Sequence, residues 1–321
     1  MRVLITGAGG FVGSAVAARL ACQTDMELRV LTRSPAAWRG PGAAFADGAD
    51  IETPKPFFST ALDGVDAVLH ASALTANGAS QSAAAQSRFQ KGNRHYTAAL
   101  ARAAHAAGAR RFVFVSSIKV NGERSLAKRF TPDDTPRPED AYGRSKRDAE
   151  ADLKAIAEET GLEVVIVRPP LVVGAKSSGN LAALTKAIAR GYPLPLGTFT
   201  HNRRHLVGVT DLADLLCKLL THREAPGRVF LVRSGEAFST AGLAAAIGAT
   251  MGCKARLVAI PERVLRLAAA LAGRGAIIDR FASDLEVDDS TTRELLNWSE
   301  PLGLASEFRD LAQAFRGRGI P

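Results

Sequence analysis

Tyr142-Gly-Arg-Ser-Lys146 places a phenol and an amine four residues apart. On a helix that spacing puts both on one face, so the ammonium of Lys146 can lie beside the ring hydroxyl of Tyr142. A neighbouring positive charge favours the phenolate. The phenol, ordinarily titrating near 10, is then expected to move toward neutrality, which suits a proton donor and acceptor for an alcohol/ketone pair. Taken alone, a half-buried tyrosine with a solvated lysine explains the pattern equally well. Its meaning depends on the elements around it.

The chain opens with Met1-Arg-Val-Leu-Ile-Thr6, a short run rich in β-branched residues. Gly7-Ala-Gly-Gly10-Phe11-Val12-Gly13 and an Ala/Val/Leu-rich segment, Ser14 to Ala21, follow. This reads as strand, tight turn and helix. Gly7 permits the turn, Gly10 lets the backbone approach a pyrophosphate, and Gly13 allows the helix to pack on the strand. The diphosphate of a dinucleotide would meet the unpaired N–H groups at the helix start.

Further strands are expected at Glu27 to Thr32, Ala43 to Ala46, Ala67 to Ala71, Arg111 to Ser116 and Glu163 to Arg168. Helices are expected over Gln81 to Ala107 and Ala141 to Thr160. The alternation implies an α/β fold, a Rossmann-type doubly wound parallel sheet with its ligand at the carboxyl ends of the strands. After Pro169-Pro170 the pattern loosens into Gly/Ser/Pro-rich loops, Gly174 to Gly179 and Gly191 to Gly197, and sheet elements resume near Val229 to Val232. The expected organisation is a dinucleotide-binding domain over 1–170 with a returning segment at about 206–235. A smaller C-terminal α/β substrate lobe takes 171–205 and 236–321. The segment Pro261 to Ala272 reads as a lobe helix with one buried face rather than a membrane-surface helix.

With 321 residues, 46% hydrophobic and 23% charged, the chain can bury a large core. Cys22, Cys217 and Cys253 are scattered without CxxC spacing, which argues against a disulfide framework or zinc site. His201 and His205 lack the glutamate of an HExxH arrangement, so no metal is expected. No apolar run reaches membrane-spanning length and the start is a strand rather than a signal peptide, so the expectation is a cytoplasmic protein without membrane insertion. The net charge of +9 comes from dispersed basic residues with only 6% aromatics. An anionic small substrate fits that balance better than nucleic acid.

Arg33 ends the second strand, where this fold meets the adenosine ribose. A carboxylate there accepts from a free 2′-hydroxyl and repels a 2′-phosphate, and an arginine does the reverse. NADP(H) is therefore favoured, with NAD(H) as the alternative.

Together these residues resemble the extended short-chain dehydrogenases/reductases, the group of nucleotide-sugar epimerases, dehydratases and ketoreductases. The resemblance covers almost the whole chain. It rests on the Thr6 to Gly13 turn, Leu69-His-Ala-Ser-Ala73, Asn93 with Thr97, Phe112-Val-Phe-Val-Ser-Ser117, Tyr142-x-x-x-Lys146, Arg168-Pro-Pro-Leu-Val-Val-Gly174 and the stretch Arg204 to Asp211. It implies that Ser117 hydrogen-bonds the substrate oxygen and that Lys146 contacts the nicotinamide ribose. Ala71, Ala73 and Asn93 would line the cofactor site, and Pro169 would flank the nicotinamide. It further implies a nucleotide-diphosphate sugar as substrate, with Arg204 and Asn180 on the diphosphate and Arg280 as another candidate, and a homodimer through a helix pair that includes the Tyr142 helix.

Sugar 4,6-dehydratases carry Thr-Asp-Glu where this chain has Ser117-Ile118-Lys119, so elimination chemistry lacks its acid and base here. Reduction of a 4-keto sugar and 4-epimerisation remain. Ser116-Ser-Ile-Lys-Val-Asn-Gly-Glu123, Pro193-Leu-Pro-Leu-Gly197 and Asn202-Arg-Arg204 resemble the bacterial O-antigen branch. That branch implies an NAD(P)H-dependent reductase of a nucleotide-linked 4-keto-6-deoxy-(N-acetyl)hexosamine. The alternative is a nucleotide-sugar 4-epimerase with bound NAD. Asn121 and Val173, where many relatives have tyrosine, and Ala175-Lys176 in place of Pro-Gly depart from the family. A redox-inactive cofactor-binding regulator would not need the intact Ser117, Tyr142 and Lys146.

Overall fold

In the computed structural model, residues 1–32, 35, 38–46, 59–75, 82–125, 128–271 and 275–316 are described. Arg33, on which the NADP(H) expectation rests, lies outside them.

In chain order the elements are β1 (Arg2–Thr6), α1 (Phe11–Leu20), β2 (Glu27–Thr32), β3 (Ala43–Ala46), α2 (Ser59–Leu62), β4 (Ala67–His70), α3 (Ala83–Phe89), α4 (Tyr96–Ala106) and β5 (Arg111–Val115). They continue with α5 (Ala141–Thr160), β6 (Glu163–Arg168), β7 (Leu171–Val173), α6 (Gly179–Ala189), β8 (Leu206–Gly208), α7 (Val209–Leu219) and β9 (Val229–Leu231). The last are α8 (Thr240–Thr250), α9 (Glu262–Leu271), α10 (Gly275–Ala282), α11 (Ser290–Leu296) and α12 (Leu304–Arg316). Seven strands form one parallel sheet in the order β3-β2-β1-β4-β5-β6-β9. The order reverses between β1 and β4, which opens a crevice at the strands' carboxyl ends, where such sheets take their ligands.

Both faces of the sheet are covered, so its strands are apolar throughout rather than alternating. Val16 and Leu20 of α1 and Leu212 and Leu216 of α7 pack with Val3, Ile5, Val113 and Val165 on one face. Leu100 of α4 and Leu153 and Ile156 of α5 pack with Leu4, Val68, Phe112 and Phe114 on the other. A separate core of Val173, Leu206, Ile247, Phe308 and Leu311 joins α8 and α12 to β7 and β8. These two three-residue strands pair in parallel as a small second sheet, which the loosened sequence pattern after Pro170 does not predict.

Other differences have local causes. β4 and β5 end at His70 and Val115, one residue before the expected Ala71 and Ser116. The ladder nevertheless runs on by one bond, from Ala71 N to Thr6 O at 3.2 Å and from Ser116 N to Val167 O at 2.7 Å. The helix expected over Gln81 to Ala107 is broken by a π-helical turn at Gln90–His95, a feature that often accompanies functional sites. In α9 the apolar residues do not share one buried face. Leu265 and Ala269 pack inward, whereas Val264, Leu267 and Leu271 are exposed, because only one side of this helix meets the Phe199 and Ile278 cluster.

Candidate active site

The turn between β1 and α1 explains its glycines. Gly7 has φ +73, and a Cβ there would lie 2.7 Å from Ser72 N. A Cβ on Gly13 would lie 2.2 Å from the carbonyl oxygen of Gly7, so helix and strand close on each other only without a side chain. Gly9 and Gly10 are exposed, and Phe11 and Val12 are half-buried. Helix α1 has neither a side-chain cap nor an acidic residue in its first turn, which leaves its N–H groups to an outside anion. A dinucleotide diphosphate fits this cradle. Ala71 and Ala73 lie half-buried in the segment after β4, beside the Gly7 turn. Pro169 is buried just after β6, where its carbonyl accepts from Ile118 N at 3.0 Å.

Asn93 is wholly committed to protein partners. It accepts from Leu74 N at 2.8 Å and donates to Leu74 O and to Ser145 Oγ at 3.1 and 3.0 Å, so it ties the loop after β4 to the Tyr142 helix. A second tie runs through His70, buried in β4 between Thr6 and Thr97. Thr97 Oγ1 donates to Asn93 O, so it accepts from His70 Nε2 at 2.9 Å. His70 Nδ1 then accepts from Thr6 Oγ1 at 2.6 Å, which assigns the Nε2–H tautomer. Burial, aided by the charge of Lys146, pushes the His70 pKa down to about 3, so the ring is neutral. One polar chain thus links the strand before the glycine turn to the π-helical turn and, through Asn93, to α5.

Helix α5 begins at Asp140, whose carboxylate caps Gly143 N at 2.6 Å, and ends at Gly161 in the left-handed conformation. It carries Tyr142 half-buried and Lys146 buried. Ser117 follows β5, and its hydroxyl is near enough to the Tyr142 phenol to favour the ionised form. The three residues therefore converge at the carboxyl end of β5. Their electrostatics correct the expectation from spacing. The phenol is pushed up to about 12, by burial first and then by the Asp140 carboxylate, with the Ser117 hydroxyl alone pulling it down. Lys146 instead donates to Val115 O at 2.9 Å, with its ammonium 4.4 Å from the centre of the Phe114 ring. Burial pushes it down to about 7, against the opposing pull of Glu150.

Carboxylates do lie near position 119, but they are engaged. Lys119 Nζ bonds Asp140 Oδ2 at 2.6 Å and Glu123 Oε1 at 2.7 Å. They come from outside the run Ser117 to Lys119, so that run does not reveal them. Arg204 anchors its guanidinium through Nη1, which donates to the carbonyls of Arg280 and Ser283 at 3.1 and 3.0 Å. Arg280, on α10, is 3.9 Å from Glu123, so the two arginines and Glu123 are neighbours. Asn180 is exposed in the first turn of α6. His205 is buried with Nδ1 accepting from Val287 N at 3.0 Å, and burial and nearby arginines push it down to about 3.

A glycine cradle at a sheet switch point, with a Ser/Tyr/Lys group across the crevice, defines a class of dinucleotide-dependent enzymes acting on alcohols and carbonyls. The chain belongs to the NAD dependent epimerase/dehydratase family, whose model matches residues 3–232. Among its relatives is a Vibrio cholerae protein named UDP-glucose 4-epimerase, 35% identical over 98% of this chain and 95% of that protein. The fold is shared with a short-chain dehydrogenase/reductase superfamily protein from Agrobacterium tumefaciens solved with bound NAD, at 24% identity, TM-score 0.76, covering 99% of this chain and 98% of that one. It is shared equally with a Bacillus cereus UDP-glucuronic acid 4-epimerase in complex with NAD, at 19% identity, TM-score 0.78, covering 98% and 97%. No helix among the described residues is long and apolar enough to cross a membrane.

Proposed function

We propose that this protein is a nucleotide-sugar 4-epimerase that keeps a nicotinamide dinucleotide bound, acting on a UDP-hexose or UDP-N-acetylhexosamine. The full-length similarity to the Vibrio cholerae epimerase carries the reading. The site supports it, because Ser117 and Tyr142 provide one proton relay while the nearby carboxylates Asp140 and Glu123 are tied to Lys119. That is enough for oxidation and re-reduction at one carbon and too little for loss of water.

A nicotinamide bound at the crevice supplies a reversible acceptor for the C4 hydride. In its ionised form Tyr142 takes the proton of the C4 hydroxyl on its phenolate oxygen, and as the phenol it returns that proton after the sugar has turned over. Ser117 donates to the same oxygen and holds it against Tyr142. Arg204, fixed through Nη1, turns the rest of its guanidinium fork to the diphosphate, with Arg280 beside it and Asn180 at the start of α6. Arg33 supports acceptance of a 2′-phosphate, so NADP(H) and NAD(H) are both to be tested as the retained cofactor.

The test is to incubate the purified protein with UDP-glucose or UDP-N-acetylglucosamine, without added cofactor, and follow the C4 epimer by proton NMR. Formation of the galacto epimer is the expected result, and Tyr142→Phe should reduce it by about 10²–10⁴ while cofactor is retained. Stoichiometric NADPH or NADH oxidation with a UDP-4-keto-6-deoxy-N-acetylhexosamine, and no epimer, would replace the epimerase with the O-antigen-type 4-ketoreductase.

A further inference from the structure

The residues around Tyr142 include a charge arrangement that the proton relay itself does not use. Ser117 caps a single 3₁₀ turn, Ile118–Val120, by accepting from Lys119 N at 3.3 Å. The side chain of Lys119 then crosses to the first turn of α5 and bonds Asp140 Oδ2 at 2.6 Å, while Asp140 Oδ1 caps Gly143 N. The backbones also meet. A Cβ on Gly143 would lie 2.8 Å from Lys119 O, so the turn that carries Ser117 rests directly on the turn that carries Tyr142.

We propose that Lys119 is a positioning residue of the relay: its ammonium clamps the Ser117 turn to the head of the Tyr142 helix and offsets the Asp140 charge that faces the phenol. The inference rests on the relay assigned to Tyr142 in the proposed function. Among the described residues the charged groups around Tyr142 are few. Asp140 and Lys146 come from its own helix, and Lys146 is directed to Val115 O. Ser117 faces it from the end of β5, and Phe89 of α3 stands edge-on to its ring at 6.0 Å. Asp140 is met in turn by Lys119, its only ion-pair partner among the described residues. Lys119 is shared with Glu123, which lies 3.9 Å from Arg280. Burial works against the Asp140 carboxylate, yet Lys119 and the Gly143 N–H hold it below its usual range, so it is charged and its influence on Tyr142 is real. Without Lys119, that charge acts on the phenol uncompensated and the two turns lose their tie.

The test compares the full-length wild type with Lys119→Met, Lys119→Arg, Asp140→Ser and the double variant Lys119→Met/Asp140→Ser. Two readouts are taken, the acid-side limb of the kcat pH profile and the titration of Tyr142 by NMR with ¹³Cζ-labelled tyrosine. Only Tyr96, Tyr142 and Tyr192 contribute signals. Serine keeps an oxygen for the helix cap while removing the charge. Lys119→Met should move the limb and the onset of the Tyr142 titration upward, with about a tenfold loss of kcat on the limb. Asp140→Ser should move both downward, the double variant should fall near wild type, and Lys119→Arg should recover the wild-type limb. Losses of rate in both single variants with unmoved limb and titration would overturn the proposal and leave a purely structural pair. The NMR arm reads the clamp without substrate, whereas undiminished epimerisation by Tyr142→Phe would overturn the relay itself, so the two failures are distinct.

Discussion

Lys146, four residues after Tyr142 on the same helix face, donates to the carbonyl of Val115 at 2.9 Å. Val115 is the last residue of β5, and Ser117 stands two residues beyond it. The lysine therefore fixes α5 on the strand end that presents Ser117. Its ammonium lies over the ring of Phe114, an attractive contact, but burial away from water makes the charge costly there and pushes it down to about 7.

That cost sets a stability profile. The unfolded chain holds the lysine proton up to about pH 10.5 and the folded chain releases it near 7, so between these values unfolding takes up a proton and stability rises with pH. Lys146→Met should lose this slope, melt higher than wild type below pH 7, and be inactive. Thermal midpoints between pH 6 and 9 decide it. Higher values are avoided because Cys217, pushed up to about 12 by burial, contributes stability that is lost as pH rises above its ordinary range near 9. Equal slopes in the two proteins would refute the buried-ammonium account.

A second profile lies on the acid side. His70 and His205 are both held near pKa 3, against about 6.5 in the unfolded chain. Below 6.5 the unfolded chain binds protons that the folded chain refuses, so stability falls as pH drops from 6.5 toward 3. His70→Phe should remove its share of this fall. At pH 7 it should still cost about 1–3 kcal/mol, because Thr6 and Thr97 lose a buried partner. Urea unfolding at pH 7 and pH 5 measures both effects, and an unchanged difference between the two pH values in His70→Phe would count against them.

How much of this was readable in advance varies with the range of the interaction. Arg2–Thr6 and Glu163–Arg168 are legible because a β-branched run is a local signal, and the bounds of Ala141–Thr160 match the expected helix. The pair of β7 and β8 is not legible, since three residues carry no usable period and their partners are 35 positions apart (171 and 206). At the site, spacing placed Tyr142 and Lys146 on one face but could not say that Lys146 is drawn to a strand carbonyl. Lys119 and Asp140 are 21 residues apart and leave no sequence pattern, and although Thr6, His70 and Thr97 each fall in a stretch that carries the resemblance, nothing in those three stretches says that they meet.

The glycine turn offers a contrast between neighbours. Gly13→Ala should prevent closure of α1 on β1, because its Cβ would lie 2.2 Å from Gly7 O and backbone cannot yield that far. Gly9→Ala meets nothing within 4 Å and should keep the wild-type melting temperature. Calorimetry of both variants, with dinucleotide content measured after purification, tests the turn as a cradle. A Gly13→Ala protein as stable and as cofactor-loaded as wild type would refute its packing role.

Glu150 and Arg168 form a buried ion pair beside the site, with side chains 4% and 2% exposed. Arg168 donates to Glu150 through Nε and Nη2 and to Asn121 Oδ1 through Nη1 at 3.0 Å, and Ser116 Oγ donates to the same carboxylate at 2.5 Å. Asn121, where relatives often carry tyrosine, is thereby bound into the network, with Nδ2 on Thr131 O. A buried pair of this kind gains little over an apolar core, but breaking one side strands the other charge. Glu150→Gln should cost about 3–5 kcal/mol in urea unfolding. It should also act at a distance of one helical turn, since Glu150 is the group that holds up the Lys146 pKa. Without it Lys146 loses its proton at still lower pH, so the stability slope assigned to Lys146 should begin below pH 7. A Glu150→Gln protein that loses stability while that slope stays in place would confine Glu150 to holding Arg168 and detach it from the lysine.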